Sequence, residues 1–399
     1  MENQNEKIKG TSKLSSVLIF GLTIIVASCN NNPENKEQLS KKNIQHGIVF
    51  YEEGQFGGWP ANHGIWSWGN EILVGFVVAD HKEKTGHTYE PLSASNKYAR
   101  SKDGGQSWTI EDAYKNGQTA WGHDNNITDE KADTPIPLSE AVSDFTNPDF
   151  ILTFLRHNNH NGPSHFYYSN NRGAIWKGPF SFPELNTNGV ATRTDYVIDG
   201  KKELNAFLTV AKSNDKEGRV VMSRTTDGGL SWEIVSWIGP EPEGFDIMPS
   251  SLRLSPTELI TVIRTRTGNG QDLLTSYLSN NNGETWEKLK DPVSDTGRGG
   301  SPPALVKMND GRLALAYIYR SKYGSRVNIR FSSNNGRSWS DEIILRCGDL
   351  ANGDVGYPRM VQIPDGKLVV IYYWNNVNQE GASPYRYIAS TIFDPDQWD

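Results

Sequence analysis

Ser332-Ser-Asn334-Asn-Gly336-Arg-Ser338-Trp339 is the last of five copies of one eight-residue pattern, and its recurrence decides the fold. The earlier copies are Ser101-Lys-Asp103-Gly-Gly105-Gln-Ser107-Trp108, Ser169-Asn-Asn171-Arg-Gly173-Ala-Ile175-Trp176, Thr225-Thr-Asp227-Gly-Gly229-Leu-Ser231-Trp232 and Ser279-Asn-Asn281-Asn-Gly283-Glu-Thr285-Trp286. Their tryptophans lie 68, 56, 54 and 53 residues apart. A period of that size marks repeated four-stranded units. In each copy the Asp or Asn side chain can accept bonds from nearby backbone N–H groups, and glycine supplies the turn. The tryptophan brings a large apolar surface to the space between sheets.

A second repeat runs between the copies: an inner strand, a tight turn and a β-rich strand. It is read at 64–78, 141–156, 195–210, 248–264, 302–319 and 357–373, with turns such as Asp199-Gly200, Asp310-Gly311 and Asp365-Gly366. The sequence therefore predicts an all-β, six-bladed β-propeller over residues 44–399. Seven blades follow if the long insert between Trp108 and Pro137 holds another. The strand at 44–51 is expected to close the ring against the last blade, which removes an open edge. The five copies resemble the Asp box of sialidases and related propellers, and the resemblance implies a structural rather than catalytic role for them.

At the N-terminus Lys7, Lys9 and Lys13 precede an apolar run at 17–27, too short to span a bilayer comfortably. The run ends in Val26-Ala27-Ser28-Cys29, which resembles the lipobox of bacterial lipoproteins. This implies a signal peptide at 1–28, acylation of Cys29 and export to the cell envelope, anchored in the outer membrane. The residues after Cys29 lack an acidic run, which favours the periplasmic face. Residues 29–43, rich in Asn, Lys and Glu, read as a flexible tether. Cys347 is the only other cysteine, so acylation of Cys29 would leave it unpartnered. The net charge of -7 argues against nucleic-acid binding but leaves room for a local basic pocket.

Propeller topology delivers the starts of inner strands and the ends of second strands to the face opposite the boxes. His63 precedes the first inner strand, His81 and His87 follow its blade's second strand, and His157, His160 and His165 follow the next one. Later blades supply Arg193, Arg264, Arg266, Arg298, Arg320 and Arg326 instead. Tyr357 opens the sixth inner strand, and Tyr373 and Trp374 end its partner. A pocket with histidines on one side and arginines on the other suits an acidic sugar. Arginine grips carboxylate with forked hydrogen bonds, and histidine exchanges protons near neutral pH. A divalent metal on His157, His160 and His165 is the one cofactor this spacing suggests.

Two enzyme classes fit. The first resemblance is to sialidases, but where they carry Phe/Tyr-Arg-Ile-Pro this chain has Gly57-Gly58-Trp59-Pro60. Arg264, Arg298, Tyr357 and Glu243 fill the remaining sialidase roles only loosely. The second is to the ulvan lyases and related propellers acting on uronic acids, carried by His157-Asn-Asn-His160-Asn-Gly-Pro163 and His63-Gly64-Ile-Trp66-Ser-Trp68-Gly69. It implies β-elimination, with Arg193 and Arg264 neutralising the uronate carboxylate. His160 would be base or acid, with His63 or Tyr357 as counterpart. Loss of a sugar makes the enzyme a lyase; loss of water from a terminal uronate makes it a dehydratase. His81, His157, His165, Arg266, Arg298, Arg320, Tyr373 and Trp374 are expected to line the substrate. Glycan capture without catalysis, on Trp59, Trp66, Trp68, Trp121 and Trp374, is the third reading. The expected partners are an acidic oligo- or polysaccharide and, through Cys29, a lipid bilayer, with the chain acting as a monomer.

Overall fold

The computed structural model describes residues 43–112 and 134–398. Within it all five boxes are bonded alike. The box glycine N–H donates to the opening hydroxyl, as from Gly105 to Ser101 (2.8 Å), Gly229 to Thr225 (2.8 Å) and Gly336 to Ser332 (2.9 Å). That hydroxyl donates in turn to the Asx side chain, which accepts from a backbone N–H four residues on: Ser107 to Asp103 (2.9 Å), Ser231 to Asp227 (3.0 Å), Ser338 to Asn334 (2.9 Å). The chain thereby satisfies its own donors at a tight turn, without help from the rest of the fold.

Six sheets form the ring. Two begin beside the site described below: Gln55–Gly58 and Ile65–Trp68 both pair with Glu71–Asp80, and Phe245–Arg253 pairs with Leu259–Arg266. Gln45–Phe50 joins the last sheet as its outermost strand, antiparallel to Tyr387–Phe393, so the ring closes as expected. Second strands such as Ile151–Arg156 and Leu204–Ala211 are buried on both faces, because a sheet lies on either side of them. Six apolar clusters fill the six junctions between successive sheets. Each box tryptophan packs into the junction with the preceding blade: Trp108, Trp176, Trp232, Trp286 and Trp339 in turn. At ~25 cal/mol per Å², a half-buried tryptophan contributes roughly 2–3 kcal/mol there.

One expectation needs correction. Residues 141–150 do not form an inner strand, and the second sheet has three strands, Ile151–Arg156, Ser164–Ser169 and Lys177–Phe182. Asp144 caps the backbone of Thr146 (2.8 Å) and Asn147 that of Asp149 (3.0 Å), bending a segment that also holds Pro148. The bare inner edge is covered by side chains instead: Leu152 N–H donates to the Tyr196 hydroxyl (3.2 Å) and Phe154 N–H to Thr194 Oγ1 (3.0 Å). Cys29, the signal segment, the tether, Trp121 and the insert after Asp112 lie outside the described residues.

The box glycine is the seat of one blade on the next. A Cβ at Gly283 (φ +87°) would run into Met222 of the preceding blade, whereas one at Gly311 (φ +91°) would meet open space. Both Gly→Ala changes carry the left-handed backbone cost of about 1–2 kcal/mol. Gly283→Ala is expected to cost about 1–3 kcal/mol more, through overpacking. Urea denaturation of the two variants checks the difference.

Candidate functional site

Three inner strands reach the face opposite the boxes with a bulky residue in the left-handed region: Trp59 (φ 56°), Met248 (φ 53°) and Tyr357 (φ 55°). Such backbone costs about 1–3 kcal/mol per residue and persists where surrounding structure enforces it. In two of the strands the ladder also skips, between Ile247 and Ser250 and between Gly356 and Arg359. The skips release side chains from alternation toward the axis, where Met248 and Tyr357 pack with Ala61, Phe245 and Ile247.

Around the Tyr357 phenol stand four arginines from four blades. Arg156 ends the second strand of blade two, Arg264 lies near the end of its counterpart in blade four, Arg320 follows that of blade five, and Arg193 precedes the third inner strand. Arg264 donates to Tyr357 Oη (3.4 Å) and to the Gly299 carbonyl. Arg320 donates through Nε to the Val355 carbonyl (2.8 Å), and its guanidinium lies 5.5 Å from the Tyr357 ring centroid. Arg193 is held by the Ala191 carbonyl (2.9 Å) and Arg156 by Asn159 Oδ1 (2.6 Å). Gly356 (φ +122°) makes the approach of Arg320 feasible, since a Cβ there would sit 3.2 Å from Arg320 Nη2. Burial opposes ionisation of the phenol, but the charges of Arg264, Arg320, Arg193 and Arg156 hold it below the usual tyrosine range.

Beside this cluster Asp354 accepts from His87 Nδ1 (2.6 Å), from Tyr373 Oη (3.0 Å) and from Arg386 Nε (2.9 Å). Burial disfavours its charge, yet these partners bring the carboxyl down to about 2. Tyr373 is itself 3.5 Å from Arg320 Nη2, so the network is continuous with the arginines. Below, Arg359 donates to the carbonyls of Ala61 (2.5 Å) and Thr194, tying the Trp59 turn, the Arg193 loop and the Tyr357 strand together. An axial cavity of about 240 Å³ lies beside Arg359, lined also by Trp66, Tyr196, Ser251 and Asp195, a carboxyl that burial pushes up to about 7.

Of the residues expected at the pocket, Arg193, Arg264, Arg320, Tyr357 and Tyr373 are brought together. The others are placed elsewhere. Trp374 points to the opposite face of its strand from Tyr373, fully buried against Tyr372 and bonded to Asp349 (3.2 Å). Arg266 pairs across its hairpin with Asp272 (2.8 Å), and Arg298 is exposed. His160 lies on an exposed turn, its N–H bonded to Asn158 (2.8 Å). His157 shares that turn, its N–H donating to Pro163 (2.8 Å), and His165 is buried edge-on to Tyr167. His81 pairs with Glu83 (3.0 Å) and meets the Tyr385 ring at the rim. His63 is buried beneath the Trp59 turn, and burial brings it down to about 3, as it does His165. No group of three or more His, Cys, Asp and Glu among the described residues could hold a metal ion, so the three-histidine metal site does not form. Glu243 lies against Gly268 in its own blade. Sequence reasoning left out Asp354, Arg156 and Arg386 as site residues and counted His87 among the histidines of this face without giving it a role. The signal available was position: Asp354 lies two residues before an inner strand, where the pocket-facing groups begin.

The family described as BNR repeat-like domain matches residues 156–370. No curated protein matches the chain. Among solved structures it is similar to a protein of unknown function from Dyadobacter fermentans (18% identity, TM-score 0.65, covering 88% of this chain and 99% of that one). It is also similar to a Hadza microbial sialidase (12%, TM-score 0.56, 86% and 66%). A third is an α-L-arabinanase of Penicillium chrysogenum complexed with arabinobiose (13%, TM-score 0.53, 88% and 98%). At these identities the similarity is one of fold.

His63 and His165 are neutral in the folded chain, and unfolding lets them take up protons below about pH 6.5. Stability is therefore full above that value and is lost as pH falls toward about 3. The two together contribute a slope of roughly 3 kcal/mol per pH unit across the middle of that window, with His46, lowered to about 4 by burial, adding to it and Asp195, raised to about 7 by burial, opposing it. Urea denaturation of wild type and His165→Phe between pH 6 and 4.5 should show a slope smaller in the variant by roughly 1.4 kcal/mol per pH unit.

Proposed function

This chain belongs to the BNR repeat-like domain family, and on that footing we propose that it is a carbohydrate-active enzyme for sugars bearing a carboxylate. The observation that carries the reading is the ring of Arg156, Arg193, Arg264 and Arg320 around a Tyr357 phenol drawn toward its phenolate. Guanidiniums in a buried pocket bind a carboxylate by charge-assisted hydrogen bonds, and a pocket of one sign concentrates anionic substrate. Tyr357 is the reacting group. With the sugar's carboxylate held by the arginines, its oxygen attacks the anomeric carbon and forms a glycosyl–tyrosine intermediate, which water then hydrolyses. Tyrosine serves as nucleophile in a minority of glycoside hydrolases. The fold similarity to a sialidase supports hydrolysis, though the arginine expected at residues 57–60 is replaced by the Trp59 turn.

β-Elimination on a uronate, as in ulvan, is the second reading, and one observation favours it. A phenol held toward phenolate beside carboxylate-binding arginines is also suited to removing the C5 proton once the carboxylate charge is neutralised. In that case Tyr357 takes the part expected of His160 or His63. The N-terminal segment completes the proposal: cleavage before Cys29 and acylation would hold the enzyme at the cell envelope, near polymeric glycans.

Two assays separate these chemistries. Incubation with sialylated and uronate oligosaccharides is expected to release the free acidic sugar. Ultraviolet absorbance of a double bond conjugated to the carboxylate would instead identify elimination. Tyr357→Phe should lower either rate by about 10²-fold or more, and Arg264→Lys should raise KM by roughly 10-fold through loss of the forked bond. Binding with neither product, unaffected by Tyr357→Phe, would leave glycan capture. For the anchor, the mass of the mature protein from membranes decides: a diacylglyceryl thioether on Cys29 establishes it, and a Cys29 without acyl chains overturns it.

A further inference from the structure

His87 stands on the loop between Glu71–Asp80 and Ser95–Ser101, and Asp354 on the loop before Gly356–Gln362, 267 residues later. The contact is directional. Asp354 is a buried carboxylate fixed by Arg386 and Tyr373 on its remaining positions, and it takes the hydrogen on His87 Nδ1 at 2.6 Å. That bond leaves Nε2 as the exchangeable nitrogen. The His87 side chain is 41% exposed, against 10% for Asp354, so the anchored nitrogen is sheltered while the ring reaches solvent. The ring lies edge-on to Trp59 at 5.0 Å; Trp59 is 6.3 Å from Tyr373, which is 6.0 Å from Tyr357. The imidazole is thus joined to the Tyr357 phenol and its arginines by a chain of ring contacts through Trp59 and Tyr373.

Building on the hydrolytic reading, we infer that His87 is the proton donor to the leaving oxygen and that Asp354 is its positioning residue. In the first half-reaction the Tyr357 phenolate bonds to the anomeric carbon while the bond from that carbon to the leaving oxygen breaks. The proton on His87 Nε2 goes to the leaving oxygen. In the second, His87 takes a proton from water as its oxygen attacks the same carbon. The Tyr357–carbon bond breaks, and phenolate and imidazolium are restored. The charged groups around this histidine come from several elements: Asp354, Arg386 and Arg320, with the Tyr373 hydroxyl between them. On its own loop the other charges are engaged locally, His81 with Glu83, Lys82 with Glu90 and Lys84 over the Tyr89 ring. Asp354 is therefore the carboxylate that faces the imidazole.

Leaving-group dependence tests this. A carboxylated sugar is supplied once with a sugar aglycone, which needs protonation to depart, and once with a 4-nitrophenyl aglycone, which does not. His87→Gln is expected to lower kcat roughly 10²–10⁴-fold on the first and less than about 10-fold on the second. It should also remove the limb on which the wild-type rate falls with rising pH. Asp354→Asn should weaken the same limb while leaving KM for the sugar nearly unchanged. Equal losses on both aglycones, or a persisting limb in His87→Gln, would overturn the role of His87 while the hydrolytic reading stands. No release by the wild type from either compound would overturn hydrolysis itself, and this role with it. Nitrogen-15 NMR supplies a substrate-free check: the neutral imidazole must carry its proton on Nδ1, and the Nε2–H tautomer would refute the inference.

Discussion

The bond from each box glycine's N–H to the opening serine or threonine, and the seat of that glycine on the preceding blade, constrain everything else. The turn is satisfied by its own side chains, so its shape is set locally. Its outer surface then becomes the part on which the neighbouring sheet rests, with the tryptophan sealing the junction. Five such contacts, and the pairing of Gln45–Phe50 with Tyr387–Phe393 in the last blade, leave little freedom in the angle between sheets. The inner strands inherit that rigidity. A ring with loose junctions could not hold arginines from four blades around one phenol against their mutual repulsion.

The opposite face is built by departing from those rules. Where an inner strand obeys strict alternation, its side chains feed the junctions on either side. Trp59, Met248 and Tyr357 leave alternation, and the strand ends near them carry the ring contacts of the pocket. The backbone strain is carried by anchors such as Arg359, which bonds two carbonyls on different segments from a third. Like charges are tolerated because the arginines rest on carbonyl and amide oxygens of Gly299, Val355, Ala191 and Asn159. A bound carboxylate would relieve the remaining repulsion.

Blade number and ring closure were legible in the sequence because the box is a local structure with a fixed residue code. Arg193, Arg264, Arg320 and Tyr357 were legible because strand ends map to one face whatever their surroundings. What failed was the step from strand end to side-chain direction. Tyr373 and Trp374 are adjacent, so only one can face the axis, and the bonds of Tyr373 to Asp354 and of Trp374 to Asp349 determine which. His63 looked like a pocket residue but is turned inward, because the chain from Trp59 to Gly64 folds over the inner sheet as a short 3₁₀ turn. Arg266 found a carboxylate across its hairpin. The second blade lost its inner strand to Asx turns at Asp144 and Asn147, each a weak signal alone. His87 and Asp354 come together through a contact spanning most of the ring, which no local pattern records.

The pairing of Gln45–Phe50 with Tyr387–Phe393 also orders the life of the molecule in time. Within the propeller, the strand synthesised first is the one paired last, since its partner is the last strand of the ring. Until then the first and last blades lack a common edge, and Ile48 and Val49 have no sheet to lie against. Vectorial closure from the first blade onward is therefore barred: intermediate blades can assemble in sequence, but the circle is sealed only once Tyr387–Phe393 has been made. A chain translocated in extended form meets no penalty from this, and one that stalls before Tyr387–Phe393 presents an open β-edge to quality control.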